Sequence, residues 1–192
     1  MNKTLLTTAL IAGLSIAALA SPAAQATDGT ISITGSIVSN TCKVGSGSPN
    51  NIAVALPGVS TSAFGAAGSV AGSTGFSISV SGCGTGATPT KVTTYFEAGP
   101  TIDTTTGNLA NQSTGGATGV EVRLLNGPGS TVAAVNSPIV LGSAAATQNS
   151  GTFALTSGGA TLNYYAEYYQ TAAALPGAGA FTSSVQYSMV YQ

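Results

Sequence analysis

Ile31-Ser32-Ile33-Thr34-Gly35-Ser36-Ile37-Val38 alternates apolar and small polar side chains with a period of two. In an extended strand, alternate residues share a face, so Ile31, Ile33, Gly35 and Ile37 project one way and Ser32, Thr34 and Ser36 the other. The apolar face has a gap at its centre, Gly35. Two structures suit such a segment: a half-buried first strand whose glycine marks a bulge or close backbone approach, or an arm that docks elsewhere. Periodicity does not choose between them.

The other end of the chain repeats the pattern. Val185, Tyr187, Met189 and Tyr191 fall on one face of a strand, and Gln186, Ser188 and Val190 on the other. Whatever packs against that strand is expected from inside the fold or from another molecule. Between the two ends, short runs of Val, Ile, Thr, Tyr and Phe alternate with clusters of Gly, Ser, Asn and Pro, the pattern of an all-β sandwich or barrel. The predicted strands are 30–44, 51–56, 76–81, 91–97, 119–125, 131–141, 152–155, 162–170 and 181–191. The longer predicted loops are 60–73, 99–116, 143–151 and 171–179. Short loops of small residues do not divide the chain into two cores, so one domain is expected.

Residues 1–26 read as a secretory leader: Lys3, an apolar run from Leu5 to Ala20, and a small-x-small cleavage site at Ala24-Gln25-Ala26. Both cysteines, Cys42 and Cys83, lie in the exported part, and two is the count of a single bridge. Closing a loop of about 40 residues stabilises the fold by roughly 4 kcal/mol on the chain-entropy model.

Composition removes whole classes of function. Among 192 residues there are four basic and five acidic side chains and no histidine. Four cations cannot build the basic stripe that neutralises phosphates, which excludes nucleic acid as a partner. Without His, the usual zinc sites and the Ser-His-Asp and Cys-His arrangements are excluded, so no catalytic, metal or cofactor residues are assigned. Glu97, Asp103, Glu121 and Glu167 are too scattered to suggest a glycosidase pair, and Asp103 reads as a turn residue bonding its own backbone. Tyr164, Tyr165, Tyr168 and Tyr169 suggest a sugar-stacking platform less than strand packing, with Tyr165 and Tyr169 buried on one side and Tyr164 and Tyr168 on the other.

Residues Gly29 to Cys42, an apolar-x-apolar-x-Gly-x-apolar-apolar series just ahead of a cysteine, resemble the start of mature chaperone–usher fimbrial subunits of the type 1 pilin family. Phe76-Ser77-Ile78-Ser79-Val80-Ser81-Gly82-Cys83 is similar to that family's second-cysteine strand. Leu56-Pro57-Gly58-Val59, Lys91 to Glu97 and the terminal strand with penultimate Tyr191 extend the similarity over nearly the whole exported chain.

The resemblance implies an incomplete immunoglobulin-like β-sandwich, completed by a donor strand from another subunit. It divides the chain into a signal peptide (1–26), a donor-strand extension (27–40) and a pilin domain (41–192). Ile31, Ile33, Gly35 and Ile37 would enter a neighbour's groove, with Gly35 at its shallow point. Val185, Tyr187, Met189 and Tyr191 would form the groove-edge strand. The implied partners are identical or related pilin subunits, a periplasmic chaperone, an outer-membrane usher and, through the fibre tip, a host-surface receptor. The expected function is that of a structural subunit of an adhesive fimbria on the cell surface, reached through the periplasm. The alternatives are a minor or adaptor pilin of the same fold, and a monomeric secreted carbohydrate-binding sandwich whose residues 30–38 pair within their own domain.

Overall fold

The computed structural model describes Ser32 and residues 42–45, 50–83 and 89–192. The leader and the predicted donor positions Ile31, Ile33, Gly35 and Ile37 lie outside the described residues. The described chain forms β1 (Lys43–Val44), β2 (Val70–Ser81), β3 (Lys91–Phe96), β4 (Ile102–Asp103), β5 (Asn108–Leu109), β6 (Val120–Asn126), β7 (Pro138–Ile139), β8 (Thr152–Ala154), β9 (Ala160–Gln170) and β10 (Tyr187–Tyr191), with no α-helix among the described residues. One sheet runs β1-β2-β9-β6-β5-β4, with β7 also on β6; the other runs β10-β3-β8. All pairings are antiparallel.

Period-two patterning gives each sheet one apolar face, and the two faces meet. Ile78 and Val80 of β2, Leu162, Tyr164 and Ala166 of β9, and Val122 and Leu124 of β6 pack against Val92 and Phe96 of β3 and Phe153 of β8. Tyr164 is the centre of this core, at 1 % exposure. The rings of Phe96 and Phe153 meet it edge-on at 5.6 and 5.9 Å. A buried phenol needs a polar partner, and its hydroxyl donates to Thr94 Oγ1 at 3.0 Å. Burial also raises its pKa above the usual 10.0. Cys42 and Cys83 are disulfide-bonded, joining the residue before β1 to a residue just beyond β2.

Several predicted boundaries change for local physical reasons. Of 131–141 only Pro138–Ile139 joins a ladder. Asn136 adopts φ 63°, and the Asn126 side-chain amide donates to Ser137 O and Oγ at 3.2 and 3.1 Å there and to Asn149 O at 2.8 Å, while its oxygen accepts from the Gly151 N–H at 2.7 Å. Within 60–73, predicted as a loop, β2 already starts at Val70 and carries an irregularity between Ala71 and Thr74. Within 99–116, β4 and β5 form a hairpin whose turn is held by Asp103 accepting from the Thr105 N–H at 2.8 Å, the turn role predicted for it. Of 181–191 only the last five residues form a strand. Residues 51–56, predicted as a strand, join neither sheet.

The tyrosines of β9 divide between the two faces as predicted, but the outer pair is half-buried rather than buried. Tyr164 is buried and Tyr168 faces inward, whereas Tyr165 and Tyr169 are half-buried on the outer face. There the Arg123 guanidinium lies 5.0 Å from the Tyr169 ring centre and pairs with Glu167 at 2.7 Å.

Candidate functional site

β10 is an edge strand, paired along one side with β3 from Tyr187↔Phe96 to Tyr191↔Val92. Gln192 and Lys91 exchange both backbone bonds at 2.9 Å, and the Glu97 N–H donates to Gln186 O at 2.8 Å. In an antiparallel ladder bonded residues alternate with outward-facing ones. Tyr187, Met189 and Tyr191 therefore turn their N–H and C=O groups away from β3, and no described residue satisfies them through its backbone. Their side chains point inward, where Met189 Sδ accepts from Thr94 Oγ1 at 3.9 Å. Val185 continues this row and packs, half-buried, against the core.

A second unpaired edge faces the first. Residues 51–59 belong to no helix or strand and make no backbone hydrogen bond among the described residues. Ile52 and Val54 are 37 % and 36 % exposed, and with Leu56 they line the gap. Between this segment and β10 lies a groove of about 1550 Å³ floored by Ile78, Leu109, Val122, Leu124 and Ala166. Tyr168 and Phe181, edge-to-face at 5.8 Å, also line it. The Tyr187 hydroxyl donates to Asn50 O at 2.8 Å and so ties β10 to the start of the opposite wall. Burial raises the pKa of both Tyr187 and Tyr191.

The end of β3 that supports this wall is completed by a side chain. Gln148, fully buried, accepts from the Phe96 N–H at 2.9 Å and donates to Phe96 O at 2.7 Å. Its amide takes the place of a neighbouring peptide group beyond the point where β8 stops pairing.

The chemistry on offer is that of a strand receptor. Two unpaired edges supply backbone donors and acceptors, and an apolar floor receives alternate side chains. The carboxylates have local partners: Glu97 accepts from Ser188 Oγ, Glu121 from Thr106 Oγ1 and Asn108 Nδ2, and Glu167 from Arg123 Nε. Among the described residues no three His, Cys, Asp or Glu side chains gather to hold a metal. Sequence reading singled out β10 but missed the groove-lining role of 51–56 and of residues 181–184, although the alternation of Ile52, Val54 and Leu56 was there to be read.

A family model described as FimA, type-1 fimbrial protein, A, matches residues 56–192. The chain is 43 % identical to the major fimbrial subunit SMF-1 of Stenotrophomonas maltophilia (strain K279a), over 88 % of this chain and 95 % of that one. It is 41 % identical to the F17 fimbrial protein of Escherichia coli, over 92 % and 94 %. In fold it is similar to the P pilus rod subunit PapA, with a TM-score of 0.54 at 20 % identity over 79 % of this chain and 99 % of that one.

Proposed function

Because the chain belongs to the type-1 fimbrial protein family, we propose that its groove is the seat of a strand donated by the next subunit of a fimbria. The chain is a structural subunit of cell-surface fimbriae. The observation that carries the proposal is the pair of facing, unpaired backbone edges, β10 and residues 51–56, over an apolar floor. A single inserted strand would satisfy both edges and cover the floor.

The donor is residues 27–40 of a second copy, set off from the leader (1–26) and the pilin domain (41–192). Ile31, Ile33 and Ile37 face the floor, and Gly35 sits where the groove is shallow. Val185, Tyr187, Met189 and Tyr191 form the receiving edge. Before assembly a periplasmic chaperone occupies the groove, an outer-membrane usher exchanges it for the donor, and any contact with a host receptor belongs to the fibre tip. Exposed apolar edges aggregate when left uncovered, which supports a covering partner at every stage. The test is Gly35→Trp. The subunit is expected to fold with its chaperone while fibre growth stops; normal fibres from this variant would overturn the assigned register.

A further inference from the structure

Charge is scarce in this chain, and its placement along the sandwich is one-sided. Lys91 pairs with Ala154 of β8; a turn bridged at Thr156 and Gly159 leads into β9, where Ala160 pairs with Val80. Val80 is also the partner of Val44, beside Lys43. Lys43 and Lys91 therefore share one pole of the sandwich, exposed and outside the ion pair found among the described residues. Glu97 follows the opposite end of β3, Asp103 belongs to the β4–β5 hairpin, and Glu121 pairs with Tyr169 near the far end of β9. These three carboxylates lie toward the other pole, about 20–30 Å away at roughly 3.3 Å per strand residue, with Glu121 buried there. Arg123 and Glu167, level with Asp103 at that same end, neutralise each other.

We infer that this axial separation of charge sets the polarity of assembly: the Lys43/Lys91 pole of each subunit faces the Glu97/Asp103/Glu121 pole of the subunit that accepts its arm. The inference rests on the arm-in-groove reading above. The described chain enters β1 from Cys42, next to Lys43, so the residues ahead of it are attached at the lysine pole. Two end-to-end arrangements are open to it. Reciprocal exchange about a two-fold axis sets lysine pole against lysine pole and closes after two copies, whereas head-to-tail exchange leaves a groove free and propagates. The first brings four ammonium groups together; the second sets two against the half-exposed Glu97 and Asp103, with Glu121 buried at the same end. Like charges juxtaposed across an interface disfavour it, and opposite charges fix its register.

The charge pattern thus selects the growing fibre over a dead-end dimer.

The test is salt-dependent assembly of the exported subunit, refolded from denaturant and followed by sedimentation, with Lys91→Glu and Lys91→Glu/Glu97→Lys as variants. At about 20 mM salt Lys91→Glu is expected to elongate roughly two- to fivefold more slowly, with a larger dimer fraction. The double variant is expected to regain the lost rate, and at about 500 mM salt, where charges are screened within a few ångströms, the three proteins converge. Equal rates at low salt, or no recovery in the double variant, would overturn the inference. A synthetic peptide of residues 27–40 reads groove filling without the poles and is expected to bind all three proteins alike. If the peptide does not bind the unaltered subunit, the arm-in-groove reading falls; if it binds and the charge variants elongate alike, only the polarity inference falls.

Discussion

Replacing Gln148 with leucine removes the one side chain that closes the end of β3. Gln148 is fully buried and meets both polar groups of the Phe96 peptide, at 2.9 and 2.7 Å. Leucine has nearly the same volume, so the cost is not a cavity. What remains is an unsatisfied N–H and an unsatisfied C=O, each costing about 1–3 kcal/mol when buried. Removing the buried amide of Gln148 itself offsets part of this, which leaves an expected loss of about 2–4 kcal/mol. For a domain of this size that lowers Tm by roughly 4–16 °C. Phe96 pairs with Tyr187 on its other side, so the same loss loosens the groove wall. Urea unfolding of the subunit with its groove filled by a saturating arm peptide measures the difference. Gln148→Glu should fall between the two, since its carboxylate accepts from the N–H but cannot donate to the carbonyl. A Gln148→Leu subunit within about 0.5 kcal/mol of the parent would refute the reasoning.

Tyr187→Phe deletes the bond to Asn50 O across the groove; a loss of about 0.5–1.5 kcal/mol in arm-peptide binding is expected, read by calorimetry, with little change in the far-ultraviolet spectrum. Gly127→Ala places a methyl carbon 2.6 Å from the backbone carbonyl of Asn163, a contact that a backbone shift must relieve, and should destabilise by about 1–3 kcal/mol in the same urea assay. Tyr164 is held neutral by burial, so the unfolded chain ionises first: its contribution is complete below pH 10.0 and declines as pH rises through the higher native value. Stability should fall on going above pH 10, and the fall should be shallower in Tyr164→Phe.

The sandwich was legible where inward residues are large. Ile78 and Val80, Val92 and Phe96, and Leu162 and Tyr164 alternate with polar neighbours, and alternation is enough to place β2, β3 and β9. The first half of β2 was hidden because its glycines read as a loop. Their aromatic partners explain them: a methyl at Gly72 would lie 3.1 Å from the Tyr168 ring, and one at Gly75 would lie 3.5 Å from Tyr165. Residues 131–137 failed for the converse reason, since the hydrogen bonds of Asn126 and Asn149 replace a ladder, and no periodicity records a side chain that imitates a peptide.

The candidate site was half legible. β10 follows from the spacing of Tyr187, Met189 and Tyr191, but residues 51–56 have a strand's pattern and no ladder in a single chain. Local sequence encodes the alternation of side chains but not whether a neighbouring strand is there to pair with it.

Chemical denaturation of the subunit with and without a copy of residues 27–40 appended after Gln192 through a short linker tests the missing-strand account most directly. Three isoleucines buried at about 1.5–3 kcal/mol each give roughly 5–9 kcal/mol before the cost of ordering the strand. The account predicts a monomeric, cooperatively unfolding product stabilised by several kcal/mol, and an aggregating or oligomeric parent. Equal stability of the two, with the parent a well-behaved monomer, would contradict it.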